Sequence, residues 1–396
     1  ENIEDYDTKN LLYVMHEGKG GTLYTSVDLM QHVSDEYNIY LLTASRRDMK
    51  LFKYQKVSVD DGGIENDREF EKHLKQIEQW DFKSKYTIAE ASNPEFELIY
   101  FNVLKQLNID LVHTRHLVRH TFDLPRVANL MGIKVLLSFH DFYFVCPSHN
   151  LIDDKGKYCN GICTPMTTED PDEGQCSVML GLGVPVAKRF NETWHELVSE
   201  MFENCSEFIT TSKSAYDIYT RIYPQLKEKP FHIIEHGRDL KIPDNIEITT
   251  DIENDDPIRI VVPGNISISK GADYVYDLKK CDKDNKIELH FMGDVYGEYD
   301  FEKVGVVHGR YKRSEFNDIV HSINPHFIGI FSIWSETYCH TLTEAWSSGV
   351  PVLCQDLGAP GERIRANGGG YLISSDPKEA YEQIISFKDK PAEYEE

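Results

Sequence analysis

The chain has 396 residues, 40% of them hydrophobic and 11% aromatic, and a formal net charge of −24 at pH 7. This length and apolar content suffice for two domains with sizeable cores and exclude global disorder. So negative a chain repels nucleic acid, and no apolar run approaches the roughly 20 residues that span a bilayer, so the composition excludes a nucleic-acid-binding protein and a membrane-spanning helix.

The first predicted strand, Leu11 to His16, leads into a glycine-bearing turn and then an amphipathic helix. Gly20 and Gly21 lie in that turn, where bare backbone N–H groups and the positive end of the helix dipole can receive an anion. The turn lacks the G-x-G-x-x-G spacing of a dinucleotide fingerprint. An anion site and an ordinary strand–helix turn therefore remain equally open.

Strand and helix patterns then alternate as far as the strand Val135 to Phe139, which predicts a parallel, doubly wound sheet. The cluster Arg115-His116-Leu117-Val118-Arg119-His120 follows one strand end and is locally basic in an acidic chain. It is as consistent with a site for an anionic acceptor as with a solvated helix start. His140 follows the last of these strands, where it is either a sugar-binding side chain or a satisfied buried histidine.

Four of the eight cysteines, Cys146, Cys159, Cys163 and Cys176, fall within one region rich in Gly, Asp and Pro. Four thiolates can hold a structural zinc ion, which would stabilise a long loop that has no core of its own. Only Cys159 and Cys163 have the short spacing usual for zinc ligands, so reduced thiols and a labile disulfide remain alternatives. The isolated cysteines elsewhere suit a reducing compartment.

An acidic stretch, Ile242 to Pro257, contains few large apolar residues and predicts a linker between two domains. Beyond it the strand Ile258 to Val262 leads to Gly264, Asn265 and Lys270, and a helix begins just after Lys270. An ammonium group at that position could neutralise a diphosphate, although a surface lysine is equally common.

The stretch from Phe327 to Glu362 carries the most specific pattern. Its predicted elements are a strand, a loop, a helix, a second strand and a glycine-bearing loop: Phe327 to Phe331, Ser332 to Tyr338, Cys339 to Ser348, Val350 to Gln355 and Gly358 to Glu362. Glu336 lies in the first loop and Glu344 in the helix. Ligands of open α/β sheets bind beyond the carboxyl ends of the strands, so both carboxylates could hold vicinal hydroxyls of one sugar or ribose. Two solvated acids are the plainer alternative.

The order Glu336-x7-Glu344-Ala345, Gly349-x-Pro351 and Gly358-x3-Glu362 resembles the retaining glycosyltransferases of family 4. The sequence from Trp334 to Ala345 resembles that of a bacterial branch of this family that builds surface polysaccharides. The resemblance implies the GT-B architecture, with two Rossmann-like doubly wound domains facing across a cleft. It places an acceptor-side domain at 1–240 with a cysteine-rich insertion near 146–176, a linker at 241–257 and a nucleotide-sugar domain at 258–396.

The implied reaction moves a sugar from a nucleoside diphosphate sugar to a glycan or lipid-linked glycan, without a cofactor in catalysis. The resemblance implies catalytic roles for Glu336, Lys270 and His140. It implies donor contacts at Gly20, Gly21, Gly264, Asn265, Lys270, Tyr311, Glu336 and Glu344. Asn265 stands where the family pattern has arginine, which indicates an unusual donor, a lower rate or a replacement charge from Arg238. The expected location is the cytoplasm, peripheral at the inner face of the membrane.

Three other functions remain open at this stage. Asn265 favours a catalytically silent sugar-nucleotide-binding domain of a larger synthase. Asp282-x-Asp284 matches the metal-binding Asp-x-Asp motif of a GT-A transferase, but it lies between a helix and a strand rather than at a strand end. A sugar-nucleotide epimerase is the third. The first residue, Glu1, and the short end after the last predicted helix favour an excised part of a larger multidomain glycosyltransferase.

Overall fold

The structure, a computed structural model, describes residues 8–17, 21–56, 72–86, 90–153, 155–162, 190–237, 240, 242, 246, 248, 251–252, 256–296 and 299–395. Contacts divide the chain into two compact units. Unit 1 comprises Glu1–Asp154 and Cys159–His236, and unit 2 comprises Lys155–Tyr158 and Gly237–Glu396. Most of the predicted linker lies outside the described residues.

Unit 1 is built on an eight-stranded sheet with the order β4-β3-β2-β1-β5-β6-β7-β8. The strands are β1 (Lys9–His16), β2 (Tyr37–Ala44), β3 (Asp48–Tyr54), β4 (Leu74–Asp81), β5 (Leu111–Thr114), β6 (Lys134–Phe139), β7 (Glu207–Thr210) and β8 (Phe231–Ile233). The helices are α1 (Gly21–Val33), α2 (Pro94–Gln106), α3 (Asp123–Leu130), α4 (Phe190–Glu203) and α5 (Lys213–Ile222). Alternation of strands and helices gives the predicted parallel core of this sheet.

Two strands at one edge of unit 1 depart from the prediction of a purely parallel sheet. β3 pairs antiparallel with both β2 and β4. The side chains of β4 are nearly all exposed, so its sequence has no alternation of apolar and polar residues to mark a half-buried strand. A short turn suffices to join β2 to β3, because antiparallel neighbours need no helical crossover.

Unit 2 is built on a six-stranded sheet with the order β11-β10-β9-β12-β13-β14, in which every pairing is parallel. The strands are β9 (Ile258–Pro263), β10 (Ile287–Met292), β11 (Val306–Gly309), β12 (Phe327–Ile330), β13 (Val352–Gln355) and β14 (Gly370–Ile373). The helices are α6 (Ala272–Cys281), α7 (Phe316–Ile323), α8 (His340–Ser347), α9 (Gly358–Asn367), α10 (Pro377–Ser386) and α11 (Pro391–Glu395). Among the helices described here and in unit 1, none is long and apolar enough to cross a membrane.

The core of unit 2 lies on both faces of its sheet, as near-continuous apolar strands require. Ile258, Ile260 and Val262 of β9 belong to one buried cluster, whereas Val261 belongs to the cluster on the opposite face. Side chains alternate between the faces of a strand, so a strand covered on both sides must be apolar throughout. This double coverage leaves the ends of the strands as the place for ligands.

The prediction of a glycine-bearing loop from Gly358 to Glu362 is wrong, because Gly358 and Gly361 lie in the first turns of α9. Glycine and proline usually mark turns, but the first N–H groups of a helix have no helical acceptor. Pro360 therefore loses no hydrogen bond in the first turn.

Each sheet has one place where the direction of winding reverses. In unit 2 it lies between β9 and β12, and in unit 1 between β1 and β5. Loops leave these neighbouring strands in opposite directions, so a crevice opens beyond their carboxyl ends. The two switch points are therefore the positions at which the fold itself favours a binding site.

Candidate active site

The switch point of unit 2 brings together two residues that the sequence places 66 positions apart. Lys270 Nζ lies 2.7 Å from Glu336 Oε1, and the two side chains are 36% and 7% exposed. Lys270 follows β9 and Glu336 follows β12, the two strands that flank the reversal. Both line a pocket that also includes Ser332 and Thr341. A fixed ammonium and a fixed carboxylate thus share one crevice.

Gly271 sets the position of Lys270. It ends a short 3-10 helix, Ile268–Lys270, in the left-handed region with φ of 84°. A Cβ atom there would lie 2.1 Å from the carbonyl oxygen of Phe331, at the end of β12. Only glycine permits this backbone to pass so close, and the close passage places Lys270 over the strand end that carries Glu336.

The loop after β12 holds the carboxylate of Glu336 in place. Ser332 Oγ donates a hydrogen bond to Glu336 Oε1. The backbone N–H of Ala359 donates to the Glu336 carbonyl oxygen at 2.8 Å, and a Cβ on Gly358 would collide with Glu336 N at 2.7 Å. The start of α9 is therefore packed against the backbone of this loop, which explains the glycine of the motif in physical terms.

Both members of the ion pair stay charged near neutral pH. Burial alone would raise the pKa of Glu336, but the charge of Lys270 and hydrogen bonds from Lys270, Ser332 and Cys339 outweigh it and lower the pKa. Burial opposes the charge on Lys270 as well, and the neighbouring Glu336 carboxylate raises the lysine pKa above its ordinary value. Burial raises the pKa of the Cys339 thiol, so this residue remains a neutral donor.

Glu344 lies on α8 in a pair of its own. Arg313 Nε donates to Glu344 Oε1 at 2.7 Å, and the Tyr311 hydroxyl hydrogen-bonds to the same carboxylate. Only 12% of the Glu344 side chain is exposed. A carboxylate has about four lone-pair sites, so this arrangement orients Glu344 and leaves acceptor capacity for hydroxyl groups. The sequence analysis singled out Glu344 and Tyr311 and missed Arg313.

Gly264 and Asn265 lie at the end of β9, on the same side of the switch point as Lys270. Gly264 has φ of 97°, and its backbone N–H donates to the Met292 carbonyl oxygen at 2.7 Å. Asn265 is exposed. Arg238, the predicted source of a replacement charge, lies outside the described residues, so the cation described in this crevice is Lys270.

Arg363 is a second residue that the sequence analysis missed. Its buried guanidinium on α9 donates to the carbonyl oxygens of Tyr338 and Cys339 at 3.1 and 3.2 Å. It also stacks over the rings of Tyr338 and Trp346, 4.2 and 4.9 Å from their centroids. The guanidinium fork satisfies carbonyl groups just before α8 and so fixes the loop that carries Glu336. In the sequence, the position of Arg363 directly after the motif residues Gly361 and Glu362 could have indicated its role.

The predicted site residues of unit 1 lie at the carboxyl ends of its strands. His140 follows β6, and its ring stacks on that of His236 with centroids 5.5 Å apart. Burial, with the positive charge of Arg115, holds the His140 pKa well below its ordinary value, so the imidazole is neutral. Gly21 begins α1, whereas Gly20 lies outside the described residues.

The basic cluster after β5 is not the solvated helix start that was one of its two interpretations. Arg115, His116 and His120 are buried, and α3 begins only at Asp123. Arg115 donates hydrogen bonds to three hydroxyl groups, those of Thr25, Ser26 and Ser138. These three residues therefore belong to the interior of unit 1 beneath α1, whereas Arg119 is partly exposed.

The cysteine-rich region is described in part. Cys146 and Cys159 are half-buried and form no disulfide within the described ranges, and Cys163 and Cys176 lie outside them. In the part of the chain that the structure describes, no three His, Cys, Asp or Glu side chains are grouped to hold a metal ion. The zinc site stays a prediction.

Asp282, the first acid of the Asp-x-Asp sequence, has a structural task. Its carboxylate accepts hydrogen bonds from the backbone N–H groups of Lys286 and Ile287 and from Lys279 Nζ. It is fully buried at the end of α6, before β10 rather than after a strand. The carboxylate of Asp282 therefore stabilises the connection between α6 and β10, and the metal-binding interpretation is wrong.

The structure resembles solved glycosyltransferases over almost its whole length. HepE from Anabaena, solved with UDP and glucose, aligns over 98% of this chain and 91% of its own, with 13% identity and a TM-score of 0.57. Sucrose-phosphate synthase from Thermosynechococcus elongatus aligns over 98% and 91%, with 14% identity and a TM-score of 0.58. A glycosyltransferase from Rickettsia africae aligns over 97% and 89%, with 14% identity and a TM-score of 0.57.

The chain has the GT-B fold. Two Rossmann-like units, each with a parallel-dominated sheet, agree with the resemblance to these proteins and confirm the predicted fold class. No protein-family model matches the sequence, and no curated protein matches it. The identities are low enough that the fold alone carries over from these neighbours.

Proposed function

We propose that this chain is a retaining glycosyltransferase of family 4 that moves a sugar from a nucleoside diphosphate sugar to a glycan or lipid-linked glycan in polysaccharide biosynthesis. The observation that carries the proposal is the Lys270–Glu336 pair at the switch point of unit 2. The GT-B fold supports it, and so does the pairing of Glu344 with Tyr311 and Arg313 on the next helix. The expected location is the cytoplasmic side of a membrane.

The chemistry of the leaving group explains why a lysine is needed. When the glycosidic bond of the donor breaks, the diphosphate gains negative charge, and an ammonium group in a partly dry crevice stabilises that charge. Lys270 is a third exposed, so its Nζ can contact a ligand while Glu336 holds it in position. Backbone N–H groups near Gly264 and at the start of α9 would add partial positive charge.

The two acids take different parts of the donor. Positive charge develops on the sugar ring in the transition state, and the Glu336 carboxylate is placed to contact that ring. Glu344 is oriented by Arg313 and is proposed to accept hydrogen bonds from ribose hydroxyls. In unit 1, His140 is proposed to donate to a sugar hydroxyl, which a neutral imidazole can do. Glu336 as nucleophile and a front-face route through the leaving phosphate remain equally available.

A panel of nucleoside diphosphate sugars tests the donor. UDP-sugars come first, because HepE was solved with UDP and glucose. Binding to the native state raises the melting temperature according to affinity, so a thermal-shift screen should identify one base and one sugar. The selected donor should then be consumed with a glycan acceptor, and proton NMR should show the product anomer in the configuration of the donor. Inversion, or no response to any donor, would refute the proposal.

A catalytically silent sugar-nucleotide-binding domain is the second candidate, and Asn265 favours it. An amide contributes only roughly 0.5–1.5 kcal/mol through a hydrogen bond, less than a guanidinium would contribute to a developing diphosphate. Donor binding without transfer and without donor hydrolysis would support this candidate. Asn265→Arg then separates the two further, since gain of hydrolysis in that variant would show an otherwise complete site.

We also propose a structural zinc ion held by Cys146, Cys159, Cys163 and Cys176. The sequence supports this site: the four cysteines fall within one region, and the spacing of Cys159 and Cys163 is usual for zinc ligands. Elemental analysis should find about one zinc ion per chain, and Cys159→Ser should lose it. Cys281→Ser, at the end of α6, is the matched control and should keep the metal.

A further inference from the structure

The switch point of unit 1 presents positive charge for which the described part of the chain provides no counter-ion. Arg119 follows β5, Arg46 follows β2, and His16 ends β1, which lies between these two strands in the sheet. In the part of the chain that the structure describes, neither arginine forms an ion pair. In a protein of net charge −24, two guanidinium groups near the carboxyl ends of neighbouring strands form a local region of opposite charge.

Arg119 is held in an unfavourable conformation. Its φ is 70°, in the left-handed region that costs free energy for any residue with a Cβ atom. Its Nη1 atom is buried and has no hydrogen-bond partner within the described ranges. A strained backbone and an unsatisfied buried donor each cost stability, and such costs concentrate at binding sites.

Hydrogen bonds hold the loop around Arg119 in place, so the fold determines the position of Arg119. His120 Nε2 donates to the Met15 carbonyl oxygen at 2.9 Å, which ties the loop to β1. His116 Nδ1 accepts the Val118 N–H at 3.0 Å, and its Nε2 therefore donates to Asp141 Oδ2, also at 3.0 Å. These bonds fix the loop on both sides of Arg119 and define the hydrogen positions on both histidines.

His16 and Arg46 complete the cluster from the neighbouring strands. His16 pairs with Ala44 in the β1–β2 register, and exposed Arg46 stands two residues beyond Ala44. The His16 ring lies 5.0 Å from the His116 ring, and its buried Nδ1 has no partner within the described ranges. Arg46 and Arg119 follow strands separated only by β1, and burial followed by the positive charge of Arg46 lowers the pKa of Arg119.

The acids beside the cluster already have partners. Glu17, the residue after His16, binds Lys50 at 2.8 Å. Asp141 accepts hydrogen bonds from His116 and from the Tyr143 backbone N–H. Neither carboxylate is therefore available to neutralise Arg46 or Arg119.

We propose that Arg46, Arg119 and His16 form a binding site for a phosphate group carried by the acceptor. This inference rests on the proposed function only in calling the ligand an acceptor. A phosphate monoester carries a charge of about −1.5 to −2 at pH 7, which matches two guanidinium groups. Guanidinium forks bind phosphate oxygens in pairs, and an imidazole nitrogen supplies one further hydrogen bond. The acceptor would then be a phosphorylated glycan or a lipid-linked one.

Phosphate binding tests this site directly. Phosphorus NMR titrations with mannose 6-phosphate are run with UDP at saturation, so that the donor crevice is filled. We expect saturable binding that weakens at least about tenfold in Arg119→Gln, the loss of one charged contact of about 1.4 kcal/mol. Arg46→Gln, at an exposed position that is safe for folding, should weaken it by a smaller factor. Arg47→Gln, the exposed neighbour in the same turn, is the matched control and should bind as the unsubstituted protein does.

The source of the phosphate is distinguished by a second arm. Phosphatidylcholine vesicles with and without a lipid-linked sugar phosphate are compared by flotation; Arg119-dependent binding only with the lipid-linked phosphate supports a lipid-linked acceptor. Phosphate affinity unchanged in both Arg119→Gln and Arg46→Gln overturns the site, and so does tighter binding of glucuronate than of mannose 6-phosphate. UDP is titrated separately: a UDP-binding protein without phosphate binding contradicts this inference alone, and phosphate binding without UDP binding contradicts the donor instead.

Discussion

The two switch points solve opposite electrostatic problems with the same fold. In unit 2, Lys270 and Glu336 neutralise each other at 2.7 Å. In unit 1, Arg46 and Arg119 have no carboxylate partner in the described chain, and burial lowers the pKa values of His16 and His120 so that both rings are neutral. A charged site with its own counter-ion is stable without its ligand, whereas a charged site without one is destabilised until it binds an anion.

This difference suggests how the two units divide the substrates. A balanced pair suits a ligand that brings both charges during the reaction, a diphosphate that becomes more negative and a sugar that becomes more positive. An unbalanced cluster suits a ligand whose charge is permanent.

The largest expected effect is that of Lys270→Ala on turnover. Loss of a single group that stabilises a developing anion typically lowers turnover 10²- to 10³-fold, about 2.7–4 kcal/mol. Steady-state transfer from the selected donor measures the loss. Lys280→Ala, which removes an exposed lysine paired with Asp277 on α6, is the control and should keep full activity. Near-normal activity in Lys270→Ala would remove the central charge from the proposal.

Gly271→Ala tests whether the backbone next to Phe331 places the lysine. The new Cβ would overlap the Phe331 carbonyl oxygen, so we expect a loss of unfolding free energy of about 2–3 kcal/mol, with a matching loss of activity. Gly309→Ala is the control: it shares a positive φ, 76°, but meets no atom within 4 Å, so only the left-handed backbone costs stability, about 1 kcal/mol. Equal losses in urea unfolding would show that the close passage is unimportant.

Glu336→Gln should separate transfer from nucleotide binding. We expect kcat to fall about tenfold or more, on the order of 1.4 kcal/mol, while UDP binds as well as before because Lys270 no longer has a competing carboxylate. Calorimetric titration with UDP provides the second measurement, and Glu302→Gln, at an exposed position in unit 2, is the control. Parallel losses in kcat and UDP affinity would contradict the division of roles.

The same variant should change the acid dependence of stability. The pKa of Glu336 is lowered in the folded chain, so its contribution is present above the ordinary glutamate pKa and is lost as pH falls through the folded value. Glu336→Gln should therefore be less stable near pH 7 and lose less stability on acidification. A variant with an unchanged acid limb would show that the ion pair contributes nothing.

A further prediction concerns the pH dependence of stability at His16 in unit 1. Burial lowers the pKa of His16 from 6.5 to about 4. The unfolded chain then binds more protons between these values, so stability falls by roughly 1 kcal/mol per pH unit as pH drops from 6.5 to 4. His16→Gln should flatten this slope, and His32→Gln, at an exposed position on α1, should leave it unchanged. Phosphate should counter the loss only while His16 and Arg119 are both present.

The parallel parts of both sheets were predictable because their strands are buried on two faces. β12, for example, lies within the predicted strand Phe327 to Phe331, a run without any polar side chain. β4 could not be found in the same way, because an exposed edge strand carries no apolar alternation. β3 alternates in its first half, where Met49 and Leu51 are buried, and that signal was available before the register shift after Leu51.

The candidate site was predictable in its motif residues and not in their partners. Lys270 and Glu336 each lie in the loop that follows a predicted strand, which the sequence shows. Their contact depends on β9 and β12 being neighbours, and strand order is a property of the whole sheet. Arg313 and Arg363 lie outside the carboxylate motif and act through donors aimed at residues 20 to 31 positions away, which local patterns do not encode.

Arg363 has a thermodynamic consequence for ligand capture. Its guanidinium lies over the rings of Tyr338 and Trp346 and donates to the carbonyl oxygens of Tyr338 and Cys339, so the segment that presents Glu336 is ordered before any ligand binds. Binding of a sugar nucleotide therefore costs little conformational entropy in that segment. The heat-capacity change of binding should then reflect the buried apolar area alone.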